Sequence, residues 1–167
     1  PNLKIVCDLS PERASQRATD LGFSRYSADW QDVVNDDSVD LISICTPNDT
    51  HAEIAIAALN AGKHVWCEKP MSTNLADSAA MAAAAKISTG KTIVGYNYTK
   101  NPAVTHARRL IESGVIGDVA GFFCRYDVDN EADGNRPWSW RMSRDKSGTG
   151  ANGDVLCHVI SVAHYLT

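Results

Sequence analysis

Over residues 1–97, short apolar runs alternate strictly with stretches of helical character. The runs are LKIVCD (3–8), a short one at 23–26, VDLISIC (39–45), HVWCE (64–68) and TIVGY (92–96). A strand with one face in water alternates apolar and polar residues. These runs are nearly continuous instead, the mark of strands covered on both faces. Strands separated by helices join one sheet through crossovers, which gives a parallel sheet with helices on both sides. The expected fold over 1–97 is therefore a doubly wound α/β domain.

Local signals set the element ends. Ser10 and Pro11 supply an N-cap and a first-turn proline for a helix ending near Gly22. Further helices are expected over 28–35, from a cap at Asn48 or Asp49 to Gly62, and over the alanine-rich 76–86. Past residue 97 the pattern changes. Residues 103–113 read as a helix stopped by Gly114, and 119–129 as a long strand of high β-propensity. Residues 130–150 are polar, rich in Gly, Arg and Trp, and too long for a tight connection. Residues 151–166 have helical spacing, with Val155, Val159, Val162 and Leu166 on one stripe. A second domain thus begins at residue 98 and runs to 167.

A length of 167 residues suffices for one domain and part of another. Hydrophobic residues are 44% and charged residues 22%, the balance of a globular protein rather than of disorder. With a net charge of -4 and scattered Lys and Arg, no concentrated positive surface meets a phosphate backbone, so nucleic acid is not an expected partner. No apolar run approaches the roughly 20 residues of a spanning helix, so no membrane is expected either. The five cysteines (Cys7, Cys45, Cys67, Cys124, Cys157) form no CxxC pair and read as reduced thiols of a cytoplasmic protein.

Several residues carry possible chemistry. Asp8 closes a strand, where a dinucleotide-binding fold places an acid on the adenosine ribose, although an acid also suits a plain turn. Its carboxylate would repel the 2'-phosphate of NADP. At about 4 Å and an effective dielectric near 20, a like-charge pair costs roughly 4 kcal/mol before screening. The segment CTPNDTH (45–51) ends a buried strand with a proline turn that opens a helix. Backbone amides there face a ligand, or Asn48 is simply an N-cap and His51 a packing or surface residue. Glu68 and Lys69 lie side by side where a buried strand emerges, the edge at which open α/β sheets bind ligands, or they form a solvated pair. Asp154 and His158 are four apart, so a helix puts both on one face. They suit an acid beside a base with a reference pKa near 6.5, or a cap followed by a core histidine. No third ligand stands at a recognisable interval, so no metal site is expected.

Together, VCDLSPERA, ICTPNDTHAEIAIAALNAGKHVWCEKPM, GYNY followed by NPAV, and GDVLCH resemble the glucose-fructose oxidoreductase / inositol dehydrogenase / MocA family over nearly the whole chain. The resemblance implies a Rossmann domain followed by an α+β domain on a large, mostly antiparallel sheet. It also implies NAD, with NADP less favoured, held between the two. Members oxidise or reduce a carbon of a sugar, inositol or related polyol. By motif, Asp8 would hold the adenosine ribose. Thr46, Pro47, Asn48 and His51 would lie along the cofactor, with Asn97 close by. Glu68 would contact the nicotinamide ribose and Lys69 the substrate hydroxyl, while Asp154 would orient the substrate and His158 act as general base.

Two positions depart from the family: Leu156 stands where glycine is frequent, and Ser161 where aspartate is frequent. The resemblance also leads us to expect a first strand with a glycine-rich turn ahead of Pro1, between the strands ending at Asp8 and Cys45. Most of the second sheet is expected after Thr167. On this reading the chain is an internal piece of a homo-oligomeric dehydrogenase and is inactive alone. A glycosidase that oxidises and re-reduces its sugar with no net redox change is the alternative within the family. A non-catalytic ligand-binding relative is the alternative outside catalysis.

Overall fold

The computed structural model describes residues 1–129, 132–150 and 152–167. Strand β1 (Ile5–Cys7) leads into helix α1 (Pro11–Leu21), which starts and stops on the expected signals. The Ser10 side chain accepts from the Arg13 N–H, Pro11 opens the first turn, and Gly22 ends the helix in the left-handed region at φ 77°. Strand β2 (Arg25–Ser27) and the short helix α2 (Trp30–Val34), capped by Asp29, follow. Then come β3 (Leu41–Ile44), α3 (His51–Asn60), β4 (His64–Cys67), α4 (Leu75–Ile87) and β5 (Thr92–Val94).

Among the described residues all the strand pairing is parallel, in two sheets: β1 with β2, and β3-β4-β5. No ladder joins β1 to β3 among the described residues, so the two strands neither pair directly nor share a neighbour. The first unit is nevertheless attached, because Ile5 and Cys7 pack against the main core. That core lies between β3-β4 and helices α3 and α4. Ile42, Ile44, Val65 and Cys67 meet Ile54, Ala55, Ala58, Leu59, Met81 and Ala84. Small alanines let α3 and α4 sit close together, and truncating Ile44, which is 2% exposed, would cost about 2–5 kcal/mol.

The opposite face of this sheet differs from the expected cover. Leu41, Ser43, Trp66 and Ile93 stand exposed among the described residues, so helices cover one face here and not two. A near-continuous apolar run reports that both faces suit burial, not that both are covered within these residues.

Beyond β5, helix α5 (Pro102–Glu112) stops before Gly114, whose φ is 73°. The long strand expected over 119–129 is not formed. The segment is exposed and finds no ladder partner among the described residues, and β-propensity cannot substitute for one. The expected loop contains a 3-10 turn (Trp140–Met142) and helix α6 (Arg144–Ser147). The final helix, expected from residue 151, begins with a π turn (Asn152–Leu156) and continues as α7 (Cys157–Leu166); residues 130, 131 and 151 lie outside the described ones. All five cysteines are free thiols, and burial pushes Cys67 up to about 12, so it belongs to the core rather than to chemistry. No described helix is long and apolar enough to cross a membrane.

Candidate active site

The carboxyl ends of the parallel strands carry the chemistry-bearing residues: Asp8 after β1, Thr46 to Asn48 after β3, Glu68 and Lys69 after β4, Asn97 after β5. Residues far apart in sequence meet there. Lys69 Nζ donates to Asp154 Oδ1 at 2.5 Å and to the Asp154 carbonyl at 2.7 Å. The lysine side chain is only 17% exposed, so its charge is largely desolvated and stands on these two acceptors. The π turn delivers them. Such wide turns are rare and recur at functional sites. Gly153 lets this one sit close, because a Cβ there would come 2.7 Å from Thr149 Oγ1 and 3.8 Å from Pro70.

His158 begins one turn on and is 8% exposed. Its Nδ1 is enclosed with no hydrogen-bond partner among the described residues. Burial pushes its pKa down, and the Lys69 ammonium pushes the same way against the opposing pull of Asp154 and Glu68. The imidazole therefore stays neutral to lower pH than an ordinary histidine. Ser161, where the family often has aspartate, donates its hydroxyl to the His158 carbonyl at 2.9 Å and is not used on the ring. Two tyrosines complete the cluster: Tyr98, from the GYNY motif, and Tyr126, to which the sequence assigns no role. Tyr98 stacks edge-on against His158, with ring centres 4.5 Å apart, and its hydroxyl bonds that of Tyr126 at 2.5 Å.

The Glu68 carboxylate accepts from the Lys69 N–H at 3.2 Å and lies against Gly95, where a Cβ would come within 3.1 Å of Oε1. Asn97 is exposed at the opening of the 3-10 turn after β5. Thr46 and Pro47 are half-buried, and Thr46 Oγ1 accepts from the Thr50 hydroxyl at 2.6 Å.

Asn48 does not cap a helix as expected. Residues Asn48–Thr50 form a 3-10 turn with no side-chain cap, and Asn48 Nδ2 instead donates to the Ser147 carbonyl at 3.1 Å, tying α6 to the site. His51 is fully buried, and its ring nitrogens each face a carbonyl oxygen at 2.9 Å, Thr46 on one side and Pro70 on the other. Its side chain is thus enclosed and spans the loops that carry Thr46 and Pro70. Replacing His51 by alanine removes this brace and leaves a buried void, with an expected loss of about 3 kcal/mol. Urea unfolding would measure it, and a loss below about 1 kcal/mol would show that the bridge is not needed.

Asp8 lies apart, on the β1-β2 unit, and its carboxylate is engaged. It accepts from the Ser10 N–H at 2.9 Å and is gripped by Arg13, whose Nη2 is 2.6 Å from Oδ1 and whose Nε contacts both oxygens. The Arg13 hydrogen bond holds the Asp8 pKa below its usual range. The expected repulsion of a 2'-phosphate is accordingly weaker than an isolated carboxylate would give, because a guanidinium neutralises it at contact distance. Arg13 is legible in the sequence, in the first turn of the helix that follows the acid, but its direction is not.

The donor set suits a nicotinamide dinucleotide. Acidic groups for sugar hydroxyls stand at two strand ends, and a desolvated ammonium lies close to an imidazole whose Nδ1 is enclosed, which leaves Nε2 as the ring nitrogen for a ligand.

Comparison with known proteins agrees. Residues 2–96 match the model of an oxidoreductase family with an NAD-binding Rossmann fold, and residues 104–167 match the GFO/IDH/MocA C-terminal domain. Levoglucosan dehydrogenase of Pseudarthrobacter phenanthrenivorans is 42% identical over 99% of this chain, which spans 43% of that protein. The NAD(+)-dependent scyllo-inositol 2-dehydrogenase of Bacillus subtilis is 35% identical over 70% of the chain, spanning 35% of it. A levoglucosan dehydrogenase solved in complex with NADH superposes with a TM-score of 0.91 at 38% identity, covering all of this chain and 45% of that one. The chain thus spans less than half the length of these relatives.

Proposed function

This chain belongs to the GFO/IDH/MocA oxidoreductase family, and from that premise we propose that the protein moves a hydride between a CH–OH carbon of a sugar or polyol and a nicotinamide cofactor. The observation that carries this reading is the desolvated Lys69 paired with Asp154 beside an imidazole held neutral. The bound nicotinamide supplies the hydride acceptor. Everything else falls to the chain's own residues. His158 takes the hydroxyl proton, on Nε2 because Nδ1 is enclosed. Lys69 stabilises the oxygen as charge develops, and Asp154 holds both the ammonium and the substrate hydroxyls in register. Glu68 contacts the nicotinamide ribose with Asn97 close by, Thr46 to Asn48 offer backbone along the cofactor, and His51 keeps that loop against Pro70. Asp8 takes the adenosine ribose.

Levoglucosan is the first substrate to try, because the 42%-identical relative is named for it, followed by the inositols. The assay is NADH formation from NAD with each free polyol. NADH together with the matching ketone supports the dehydrogenase. Cofactor binding with no turnover on any of them would leave a binding protein, and glycosidic cleavage without net NADH would leave the redox-neutral glycosidase.

Cofactor preference gives a further expected result. Asp8→Ser weakens NAD and frees the Arg13 guanidinium for a 2'-phosphate, shifting the NAD to NADP affinity ratio by about tenfold or more, the scale of one charge-assisted contact. Adding Arg13→Ala abolishes the gain for NADP. Fluorescence titration of both cofactors measures this, and an unchanged ratio in Asp8→Ser would make Asp8 a turn residue.

A further inference from the structure

We infer that Tyr98, anchored through Tyr126, is the residue that holds the His158 ring in its working orientation. This rests on the reading of His158 as the base. Histidines that act on protons or metals are usually fixed by a hydrogen bond from the second ring nitrogen to a carboxylate or carbonyl. His158 has none. Its Nδ1 is enclosed without a partner among the described residues, and Ser161, three residues on, gives its hydroxyl to the His158 backbone carbonyl. What fixes the ring is aromatic. Tyr98 meets it edge to face at 4.5 Å and 79°, and Tyr126 stands behind at 6.3 Å and 64°.

The two tyrosines come from different parts of the chain. Tyr98 lies in the 3-10 turn after β5 (Asn97–Lys100), whose backbone is closed by the Asn101 N–H donating to the Tyr98 carbonyl at 3.0 Å. Tyr126 lies in the extended stretch that makes no ladder, and its hydroxyl contact with Tyr98 at 2.5 Å ties that stretch to the site. The rings also exclude water from one side of the imidazole. The charged groups acting on His158 are Lys69, Asp154 and Glu68; Tyr98, Tyr126 and the Cys157 thiol are its neutral titratable neighbours. Both tyrosines act through His158 and are positioning residues.

The test compares Tyr98→Leu, Tyr98→Phe, Tyr126→Phe and His158→Asn in the full protein, by kcat and KM separately, by the pH profile of kcat/KM and by NMR titration of His158. Tyr98→Leu is expected to lower kcat about tenfold or more with little change in KM, since misplacement of a catalytic group costs rate. It should also move the acid limb, and the His158 titration, to higher pH as water reaches the ring. Tyr98→Phe keeps the ring and most of the activity. Tyr126→Phe, an exposed change that spares the fold, removes only the anchor and gives a smaller shift in the same direction. Unchanged limb and titration in both Tyr98→Leu and Tyr126→Phe would overturn the inference. So would equal losses in Tyr98→Phe and Tyr98→Leu, which would make the phenol hydroxyl itself the active group. If His158→Asn keeps the acid limb, the reading of the base has failed, whatever the tyrosine variants do.

Discussion

Lys69→Ala lowers kcat/KM by at least about a hundredfold while NAD binding persists. The ammonium is held 2.5 Å from Asp154 Oδ1 and 2.7 Å from the Asp154 carbonyl, and it is mostly shielded from water. A preorganised charge in such a place acts on developing negative charge without waiting for solvent to reorganise, and losing one donor of this kind costs about 10² to 10³ in rate. The variant also strips Asp154 of its counterion, so the carboxylate becomes a repulsive neighbour for an alkoxide. Arginine does not rescue it, because a planar fork cannot replace a point charge fitted between a carbonyl and a carboxylate. Steady-state kinetics beside a cofactor titration check this. Near-normal turnover would remove Lys69 from the mechanism, and loss of NAD binding would make it a cofactor residue instead.

His158→Asn removes most of the activity, about 10² to 10⁴-fold, and with it the acid limb of kcat/KM. The sign follows from the direction of the shift. Burial and the Lys69 ammonium lower the folded pKa, so the ring is neutral and able to accept a proton above that depressed value. Activity rises as pH increases through it, and the limb falls below the ordinary histidine range near 6.5. The same shift contributes stability that is fully present above the unfolded pKa and is lost as pH falls through the folded one. Asparagine keeps a polar side chain and has no titration there, so both dependences should flatten together. A limb that survives in His158→Asn assigns the base elsewhere. Tyr96 is a poor substitute, since burial raises its pKa and keeps the phenol protonated.

Much of the fold and of the site is legible in the chain's local patterns. The α1 boundaries are written in Ser10, Pro11 and Gly22, because capping is decided within a turn of chain. The ends of β1, β3 and β4, just before Asp8, Cys45 and Glu68, follow from apolar runs running out there, and the EKP and Asp-x-x-x-His elements mark the residues proposed for the chemistry. Asn48 misleads because an asparagine before a helix reads as a cap, whereas its amide goes to Ser147, 99 residues away.

The α/β class and the family are legible in the chain alone, and so are the residues proposed for the chemistry, since periodicity, capping and motif are all properties of short stretches. Tertiary structure alone decided how those side chains are used. It enclosed the His51 ring between two carbonyls, the packing role the sequence left open, and set Arg13 on the Asp8 carboxylate. It left residues 119–129 without a ladder and brought Lys69 onto Asp154, 85 residues on. Each of these outcomes rests on hydrogen-bond partners and desolvation supplied by distant segments, and a burial environment is a property of the packed chain that no local stretch carries.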